Sequence, residues 1–400
     1  MNKKEVIKFF RNFLPYRMRR QARELFVSNI IINLALAMVQ IFEPIYLYRM
    51  GYNVSQIALF YLFVYVLYFF IIPYGAKFAN RYGYENGMFL GSSLYIIFYL
   101  CLFLIPSFPI LFYFAILVYA IQKSFYWPAF HADFAHNSTN AEEGREISSY
   151  SISSSLMFVL GPILGGLIIT YFGFSVLFII VSILFLISNL PMLVTKENFT
   201  KRDFKYSFIL KDIFRKKNFK SLFSTIGYAE ELVAMVFWPI FMSVVIISYE
   251  KIGILSGIST MIMLTATLYI GKICDRRDKR IILRLSSVFY AFTWIAKIFA
   301  RTIMPIFIFD TASKTVKSGI DVSMRSIIYE GARENYRGKK DENDNSIMEA
   351  AVNFEAGLSI GKVLACLFVF IFSIIFISLK DFFMASFIFA SILSLFYMFK

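Results

Sequence analysis

The chain has 400 residues, of which 58% are hydrophobic and only 17% are charged, and its mean hydropathy is +0.65. Soluble proteins are about half apolar and about one quarter charged, so this composition excludes an ordinary soluble domain and predicts a protein surrounded by lipid. The formal net charge of +15 does not indicate nucleic acid binding, because most Lys and Arg residues lie in short segments between apolar runs.

Apolar runs recur along the whole chain, and each has about the 20 residues that a membrane-spanning helix needs. We therefore predict an all-α membrane protein with about twelve transmembrane helices in two six-helix halves. The predicted helices, numbered 1 to 12, cover residues 25–48, 56–76, 87–106, 109–131, 148–171, 175–194, 222–248, 252–272, 281–301, 303–328, 350–378 and 381–399. The predicted domains are a basic tail (1–24), the first half (25–195), a polar central loop (196–220) and the second half (221–400).

Lys and Arg residues are divided unequally between the two sides of this topology. With the N-terminus inside, about 30 of the 41 fall in inner segments and about four in outer loops. The positive-inside rule then predicts that both termini are cytoplasmic. The apolar stretch after the basic tail is too long for a signal-peptide core, so we expect an uncleaved multi-pass protein of the plasma (inner) membrane.

The sequence contains no pattern typical of catalysis or metal binding. Cys101, Cys274 and Cys366 lie far apart, and His131 and His136 are separated by a spacing that suits no common helix face. We expect no metal and no cofactor. The sequence also has no Gly-rich phosphate loop and no nucleophile elbow, which argues against an ATP-driven pump and against an enzyme.

Two sets of landmarks indicate an internal duplication. The segment after helix 2, starting at Ala76, is similar to the segment that starts 195 residues later at Gly271. A glycine pair in helix 5 recurs in helix 11 at an offset of 196 residues: Gly161 and Gly165 match Gly357 and Gly361. Repeated six-helix halves are common in secondary transporters.

These segments resemble the signature of the major facilitator superfamily, Gly-x-x-x-Asp-Arg-x-Gly followed by two basic residues. The second copy keeps Gly271, Asp275, Arg276, Lys279 and Arg280, with Asp278 where Gly is usual. The first copy is weaker and has Ala76, Asn80, Arg81 and Gly83. The resemblance implies a gate on the cytoplasmic face, in which Asp275 and Arg276 form a charged latch. We expect the small residues Ala76 and Gly271 to let neighbouring helices approach closely.

Helix 5 contains a second motif that is similar to one found in this superfamily. It consists of Gly161, Pro162, Gly165 and Gly166. Proline predicts a kink and the glycines predict tight helix packing. In the superfamily the motif is associated with exporters that exchange their solute for protons, so the resemblance favours export.

Polar residues in the predicted spans concentrate on helices 1, 4, 7 and 10, which line the central cavity in the fold that the resemblance implies. They are Asn29, Asn33, Gln40 and Glu43 on helix 1; Gln122, Lys123, Tyr126 and Trp127 on helix 4; Tyr228, Glu230 and Glu231 on helix 7; and Asp310, Lys314, Lys317, Asp321 and Arg325 on helix 10. Ionisable residues within a membrane are costly, so we assign this set to the substrate and proton pathway.

Three roles fit the single stripe of charges on helix 10. Asp310–Lys314 and Lys317–Asp321 can be ion pairs that only neutralise charge, one carboxylate can carry a proton, or the lysines can bind an anionic substrate. Glu43 and Glu231 have no cation nearby in the sequence, so they are the first candidates for a proton-carrying carboxylate.

The sequence therefore predicts a secondary active transporter that moves a small solute by alternating access, with proton-coupled export as the main hypothesis. An importer or exchanger of organic anions is the first alternative, indicated by Lys123, Lys314, Lys317 and Arg325. A membrane receptor or assembly factor that has lost transport is the second. The expected partners are a small molecule, protons and the lipid bilayer, with no nucleic acid, and we expect a monomer.

Overall fold

The computed structural model describes residues 20–137, 143–191, 226–276, 278–336 and 346–399, and helices fill nearly all of this part. The predicted central loop and most of the predicted tail lie outside it. The described helices confirm the all-α class, and most of their ends lie within five residues of the predicted ones, while helices 2, 4 and 10 extend six to eight residues beyond their predicted C-terminal ends. They are α1 (Arg20–Val39, continued by Phe42–Arg49), α2 (Val54–Tyr82), α3 (Tyr84–Leu104), α4 (Leu111–Asn137), α5 and α6 (together Glu143–Asn189), α7 (Gly227–Val245), α8 (Tyr249–Arg276), α9 (Lys279–Lys297), α10 (Ile303–Tyr336), α11 (Ser346–Ile375) and α12 (Leu379–Leu395), with a final 3-10 turn at Phe396–Phe399.

Gly173 separates α5 (143–172) from α6 (174–189), because its φ of 83° lies in a region that glycine adopts without strain. Eight stretches of the described chain are long and apolar enough to cross a membrane. The helix α10 is not among them, since four charged residues lie between Asp310 and Asp321. The protein is a multi-pass membrane protein with a bundle of antiparallel helices.

Successive helices run in opposite directions, which defines two faces of the bundle. The described chain ends, Arg20 and Phe399, lie on one face, which we call the terminal face. The short connections α1–α2, α3–α4, α5–α6, α7–α8, α9–α10 and α11–α12 lie on the other, which we call the opposite face. Across the two halves, α2 packs against α11 and α5 packs against α8, while α4 also contacts α11.

Two prolines interrupt α1 and α7 at equivalent places. Pro44 cannot donate a hydrogen bond to the carbonyl of Gln40, and α1 breaks at residues 40–41. Pro239, 195 residues later, follows a π-helical turn at Val233–Phe237 in α7. The side chain of Gln40 contacts Met235, again at an offset of 195 residues. The duplication inferred from the loops and glycines therefore extends to the shape of these two helices.

The motif in α5 packs this helix against two neighbours. A Cβ atom on Gly161 or Gly165 would overlap the backbone of α1 at Ala37 and Met38. A Cβ atom on Gly166 would overlap the carbonyl of Tyr249 in α8. The expected tight packing is thus present, and α5 continues through Pro162 with helical backbone angles up to Gly173.

The close approach expected at Gly271 is wrong, because a Cβ atom there would meet no atom within 4 Å. In the first half, Ala76 is fully buried, but the closest backbone approach is at its neighbour Gly75, where a Cβ atom would overlap the carbonyl of Ser124 in α4. In α2 the close helix contact is therefore at Gly75, one residue before Ala76 of the signature. In α8 the position equivalent to Ala76 is Gly271, which faces open space.

Candidate functional site

The most extensive polar cluster of the described residues surrounds Glu230 in α7, whose side chain is fully buried. Lys317 of α10 contacts Glu230 Oε1 at 2.7 Å. The hydroxyl of Tyr290 donates to Glu230 Oε2 at 2.8 Å, and the hydroxyl of Tyr397 donates to Oε1 at 3.0 Å. Lys317 Nζ also contacts the Tyr397 hydroxyl. The Glu230 carboxylate is thus compensated by one cation and two hydroxyl groups.

Glu231 is the neighbouring carboxylate, and although it has no cation nearby in the sequence, two lysines contact it in the structure. Lys317 lies 3.7 Å from it and Lys362 of α11 lies 3.6 Å from it. Both lysines are far from Glu231 in sequence, so they are found only when α10 and α11 pack on α7. Lys317 also lies 3.9 Å from Asp321, which confirms that ion pair of helix 10.

Asp310 forms a separate cluster closer to the opposite face. Lys314 contacts its Oδ2 at 2.9 Å, as predicted, and Trp238 Nε1 donates to Oδ1 at 2.9 Å. Lys314 also donates to the Ser256 hydroxyl at 2.9 Å. Beside this pair, buried Lys297 lies 4.4 Å from the ring centroid of Trp238. The predicted single stripe of charges on α10 is therefore divided into two clusters with different neighbours.

Glu43 in the first half is held differently. It follows the break in α1 and is only 4% exposed, so it does not sit at a wet outer mouth. The hydroxyl of Tyr61 donates to Oε1 at 2.8 Å, and the hydroxyl of Tyr99 is 3.5 Å from Oε2. Among the described residues no Lys or Arg lies within 4 Å of this carboxylate, in contrast to Glu230, Glu231 and Asp310.

Lys123 in α4 is the matching cation of the first half. Its Nζ lies 4.3 Å from the ring centroid of Tyr119 and 5.6 Å from that of Tyr65. It makes no contact within 4 Å with a carboxylate of the described residues. Cation–π contacts of this kind stabilise an ammonium by about 0.5–2 kcal/mol, well below the cost of burying it.

One face of α2 connects these groups. Tyr61, Tyr65 and Tyr68 are spaced by four and three residues, so they share a helix face. Tyr61 contacts Glu43, Tyr65 lies beside Lys123 and Lys362, and the hydroxyl of Tyr68 donates to Glu355. This row of tyrosines runs from the opposite side of the bundle towards the terminal face.

Glu355 of α11 joins the two halves on the terminal side. It is 6% exposed, and both of its oxygens have partners in the first half. Tyr68 donates to Oε2 at 2.8 Å, and His131 Nε2 lies 3.0 Å from Oε1. The sequence analysis considers His131 only for metal binding. In the structure its side chain instead joins the two halves through Glu355.

The halves are also joined near the opposite face. Arg49, at the end of α1, donates to the carbonyl of Ser243 in α7 at 2.8 Å and lies over the ring of Tyr249. The Gln40–Met235 contact lies deeper on the same two helices. Contacts therefore bridge the halves on both sides of the Lys123–Glu43 region.

The other predicted pathway residues lie around these clusters. Asn29 and Gln122 are buried, Asn33 is half-buried, and Tyr126 and Trp127 belong to an aromatic group with Phe130. Tyr228 lies under the Lys317 ammonium at 4.7 Å. The side chain of Arg325 lies outside the described residues.

The signature segments form the ends of α2 and α8. Gly83 has a φ of 114° between α2 and α3, a conformation that favours glycine, while Asn80 is buried and Arg81 lies over Tyr82. Asp278 accepts a hydrogen bond from the backbone of Arg280 and so caps α9, to which Lys279 also belongs. The side chains of Asp275 and Arg276 lie outside the described residues, and the latch stays a prediction.

Sequence reasoning missed the partners of the predicted charges. Most of them are tyrosines on α2, α3, α9 and after α12, and with 25 tyrosines in the chain composition alone singles out none of them. Lys297 and Lys362 were also missed. Both are ionisable residues inside predicted helices (9 and 11), and that position alone is a reason to name them as candidates.

Comparison with known proteins agrees with this architecture. The chain matches the sequence model of the Major Facilitator Superfamily over residues 25–339. A search of curated proteins gives no match. The match covers most of the chain, from α1 to the end of α10, so the chain belongs to the major facilitator superfamily and is a secondary transporter of a solute.

Proposed function

We propose that the protein couples movement of a small solute to movement of protons, and that Glu43 carries the coupled proton. The observation that supports this role is the environment of Glu43: a buried carboxylate whose described partners are the hydroxyl groups of Tyr61 and Tyr99. An ionised carboxylate inside a membrane protein costs several kcal/mol unless a cation compensates it.

Three other carboxylates, Glu230, Glu231 and Asp310, already have such compensation, while buried Glu355 contacts His131. Glu230 and Glu231 contact Lys317, and Asp310 contacts Lys314. Gain or loss of a proton at these positions would break an ion pair. Glu43 can bind or release a proton while only its tyrosine hydrogen bonds readjust, which suits a group that titrates in every transport cycle.

Alternating access would expose Glu43 to one side at a time. Glu43 follows the break in α1, and Gln40 in that break contacts Met235 of the other half. Rocking of the halves about this contact would open or close the route from Glu43 to the opposite face. The bridges made by Arg49 and by Glu355 would separate alternately.

We place the terminal face in the cytoplasm and the protein in the plasma membrane. The excess of Lys and Arg in the segments of this face supports that orientation. Reporter fusions test it: alkaline phosphatase fused in the α3–α4 connection (residues 105–110) is expected to be active outside the cytoplasm, and a fusion after residue 399 is expected to be inactive.

Two directions of transport remain candidates. Export is favoured by the resemblance of the α5 motif to that of exporters, although the packing of Gly161 and Gly166 carries no direction by itself. Uptake or exchange of an organic anion is favoured by Lys123, a cation without a carboxylate within 4 Å among the described residues. Solute flux in liposomes with an imposed proton gradient of either sign distinguishes them.

The test of Glu43 uses purified protein in liposomes that contain a pH-sensitive dye. A thermal-shift screen against drugs, sugars, organic acids and amino acids first finds a solute, whose addition is expected to drive proton flux. Glu43→Gln is expected to abolish the proton flux while solute exchange between the two sides continues. Glu250→Gln, which removes a carboxylate at the start of α8, is the matched control and is expected to behave as the wild type.

Proton flux in Glu43→Gln equal to that of the wild type would exclude this role of Glu43. A wild-type protein that inserts correctly but neither binds nor moves any solute of the screen would support the alternative of a membrane receptor or assembly factor.

A further inference from the structure

Two lysines from opposite halves approach the same tyrosine. Lys123 of α4 lies 5.6 Å from the ring centroid of Tyr65, and Lys362 of α11 lies 5.3 Å from it. The two ammonium groups are therefore no farther apart than the sum of these distances, and they repel each other electrostatically. Like charges brought together in a membrane interior are unfavourable, and an anion between them would relieve the repulsion.

The described ion pairs do not compensate both lysines. Lys362 shares Glu231 with Lys317, at 3.6 and 3.7 Å. Lys317 also contacts Glu230 at 2.7 Å and Asp321 at 3.9 Å, so carboxylates of the second half compensate Lys317 and Lys362, whereas no carboxylate of the described residues lies within 4 Å of Lys123. The nearest source of negative charge in the first half is Glu43, which interacts with Lys123 electrostatically but not within ion-pair distance. When Glu43 carries a proton, Lys123 loses this interaction and keeps the one with Glu355 of α11.

We propose that the transported solute is a small organic carboxylate whose anionic group bridges Lys123 and Lys362. A carboxylate supplies one negative charge to Lys123, which has no carboxylate within 4 Å among the described residues, whereas a phosphate monoester carries about −1.5 to −2 charges and would exceed that need. The rings of Tyr65 and Tyr119 beside Lys123 offer an apolar surface to the rest of the solute. Binding to one lysine from each half gives the solute contacts that exist only when the halves are closed around it.

The site also sets how proton and solute are coupled, and this part rests on the proposed function of Glu43. Ionised Glu43 attracts Lys123 and disfavours a second anion, so the carboxylate binds when Glu43 is protonated. The titratable groups that interact with Glu43 are Tyr61, Tyr65, Tyr95, Tyr99, Tyr119 and Lys123. Those around Lys123 are, besides Glu43, Tyr65, Tyr119, Glu355 and Lys362. Proton and carboxylate then travel together, which favours the uptake candidate over export.

The experiment measures binding to the purified full-length protein by calorimetry and thermal shift. The probes are benzoate, phenylacetate and hexanoate, the uncharged amide of each, benzylammonium and benzyl phosphate. At least one carboxylate is expected to bind at least tenfold more tightly than its amide, and its affinity is expected to rise as the pH falls. Linkage to one proton limits the rise to about tenfold per pH unit.

Variants locate the binding site. Lys123→Gln and Lys362→Gln are each expected to weaken carboxylate binding about tenfold or more, and Lys123→Arg is expected to restore much of it. Lys380→Gln removes an exposed cation at the start of α12 and is the control for net charge. Elution and thermal unfolding of each variant show that it is folded. Glu43→Gln, which keeps the group uncharged, is expected to bind the carboxylate with little dependence on pH.

Several outcomes overturn the proposal. These are equal binding of carboxylates and amides, tighter binding of benzylammonium or benzyl phosphate, no binding of any carboxylate, and unchanged affinity in both lysine variants. The proposed function survives this failure if a neutral or cationic solute drives a proton flux that Glu43→Gln abolishes. Conversely, carboxylate binding at the lysines with full proton coupling in Glu43→Gln would refute the role of Glu43 and leave the substrate class standing.

Discussion

The two halves of this transporter hold their buried charges in different ways. In the second half, Glu230, Asp310, Lys314 and Lys317 belong to ion pairs of 2.7 to 2.9 Å, reinforced by tyrosine and tryptophan hydrogen bonds. In the first half, Glu43 and tyrosine hydroxyl groups form one cluster, and Lys123 and tyrosine rings form another. Apart from Lys297, which lies against the rings of Trp238 and Trp294, the charges of the second half compensate one another, whereas the first half has charges whose compensation can change.

The backbone does not explain this difference, because the halves share it. Pro44 and Pro239 disturb α1 and α7 at equivalent positions, but the residue before each proline differs: Glu43 in one half and Trp238 in the other. Trp238 donates to Asp310 of its own half, and Glu43 accepts from Tyr61 of its own. A duplicated scaffold thus carries a structural hydrogen bond at one copy of the position and a titratable group at the other.

The largest expected effect comes from breaking the central ion pair of the second half. Lys317→Met leaves Glu230 buried without its closest cation, and removal of one partner of a buried pair costs about 3–5 kcal/mol. We expect a large fall in the thermal unfolding midpoint in detergent. The double variant Glu230→Gln/Lys317→Met is expected to recover much of the loss, because the fully buried charge of Glu230 is removed and Glu231 keeps its contact with Lys362.

The matched change in the first half is Lys123→Met, which removes a cation that has no carboxylate within 4 Å among the described residues. We expect its unfolding midpoint to stay close to that of the wild type. If Lys317→Met and Lys123→Met lowered the unfolding midpoint equally, the different neighbours of the two lysines would make no difference to stability.

A smaller effect is expected where one half supplies the carboxylate and the other its partners. Glu355→Ala removes the contacts to Tyr68 and His131, and a hydrogen bond to a charged group contributes about 1.5–3 kcal/mol. The terminal side should then open more often, and buried Cys366, one turn after Lys362 on α11, should become accessible.

The measurement is the rate at which N-ethylmaleimide labels Cys366 from the terminal side, with Cys101 and Cys274 replaced by Ser. We expect the rate to rise about tenfold or more, while Asp381→Asn on the opposite face leaves it unchanged. An unaltered labelling rate in Glu355→Ala would mean that this contact does not hold the halves together.

Much of the fold was predictable because it depends on patterns that a sequence displays. Apolar runs locate most helix ends within five residues, and the glycines of α5 indicate its tight packing. The ion pair Asp310–Lys314 was predictable for a similar reason, since its members are four residues apart on one helix.

The site was only partly predictable because its decisive contacts join distant helices. Glu231 has no cation nearby in the sequence, but Lys362, 131 residues away, packs against it, and the partners of Glu355 come from α2 and α4 of the other half. Periodicity identifies the face of a helix but not the helix that it meets. It therefore named the charges of the site and missed their tyrosine, histidine and lysine partners.

The smallest expected effect concerns the paired positions Ala76 and Gly271 in the two signature segments. Gly271 lies within α8 with open space around it, so Gly271→Ala adds a methyl group without a clash and lowers the entropy of the unfolded chain. We expect a gain of about 0.4–1 kcal/mol in stability, seen as a slightly higher unfolding midpoint. The reciprocal Ala76→Gly in buried α2 should lose about 1 kcal/mol. A loss of stability or of transport in Gly271→Ala would instead indicate that α8 needs glycine there in another state of the cycle, in which a neighbouring helix closes on it.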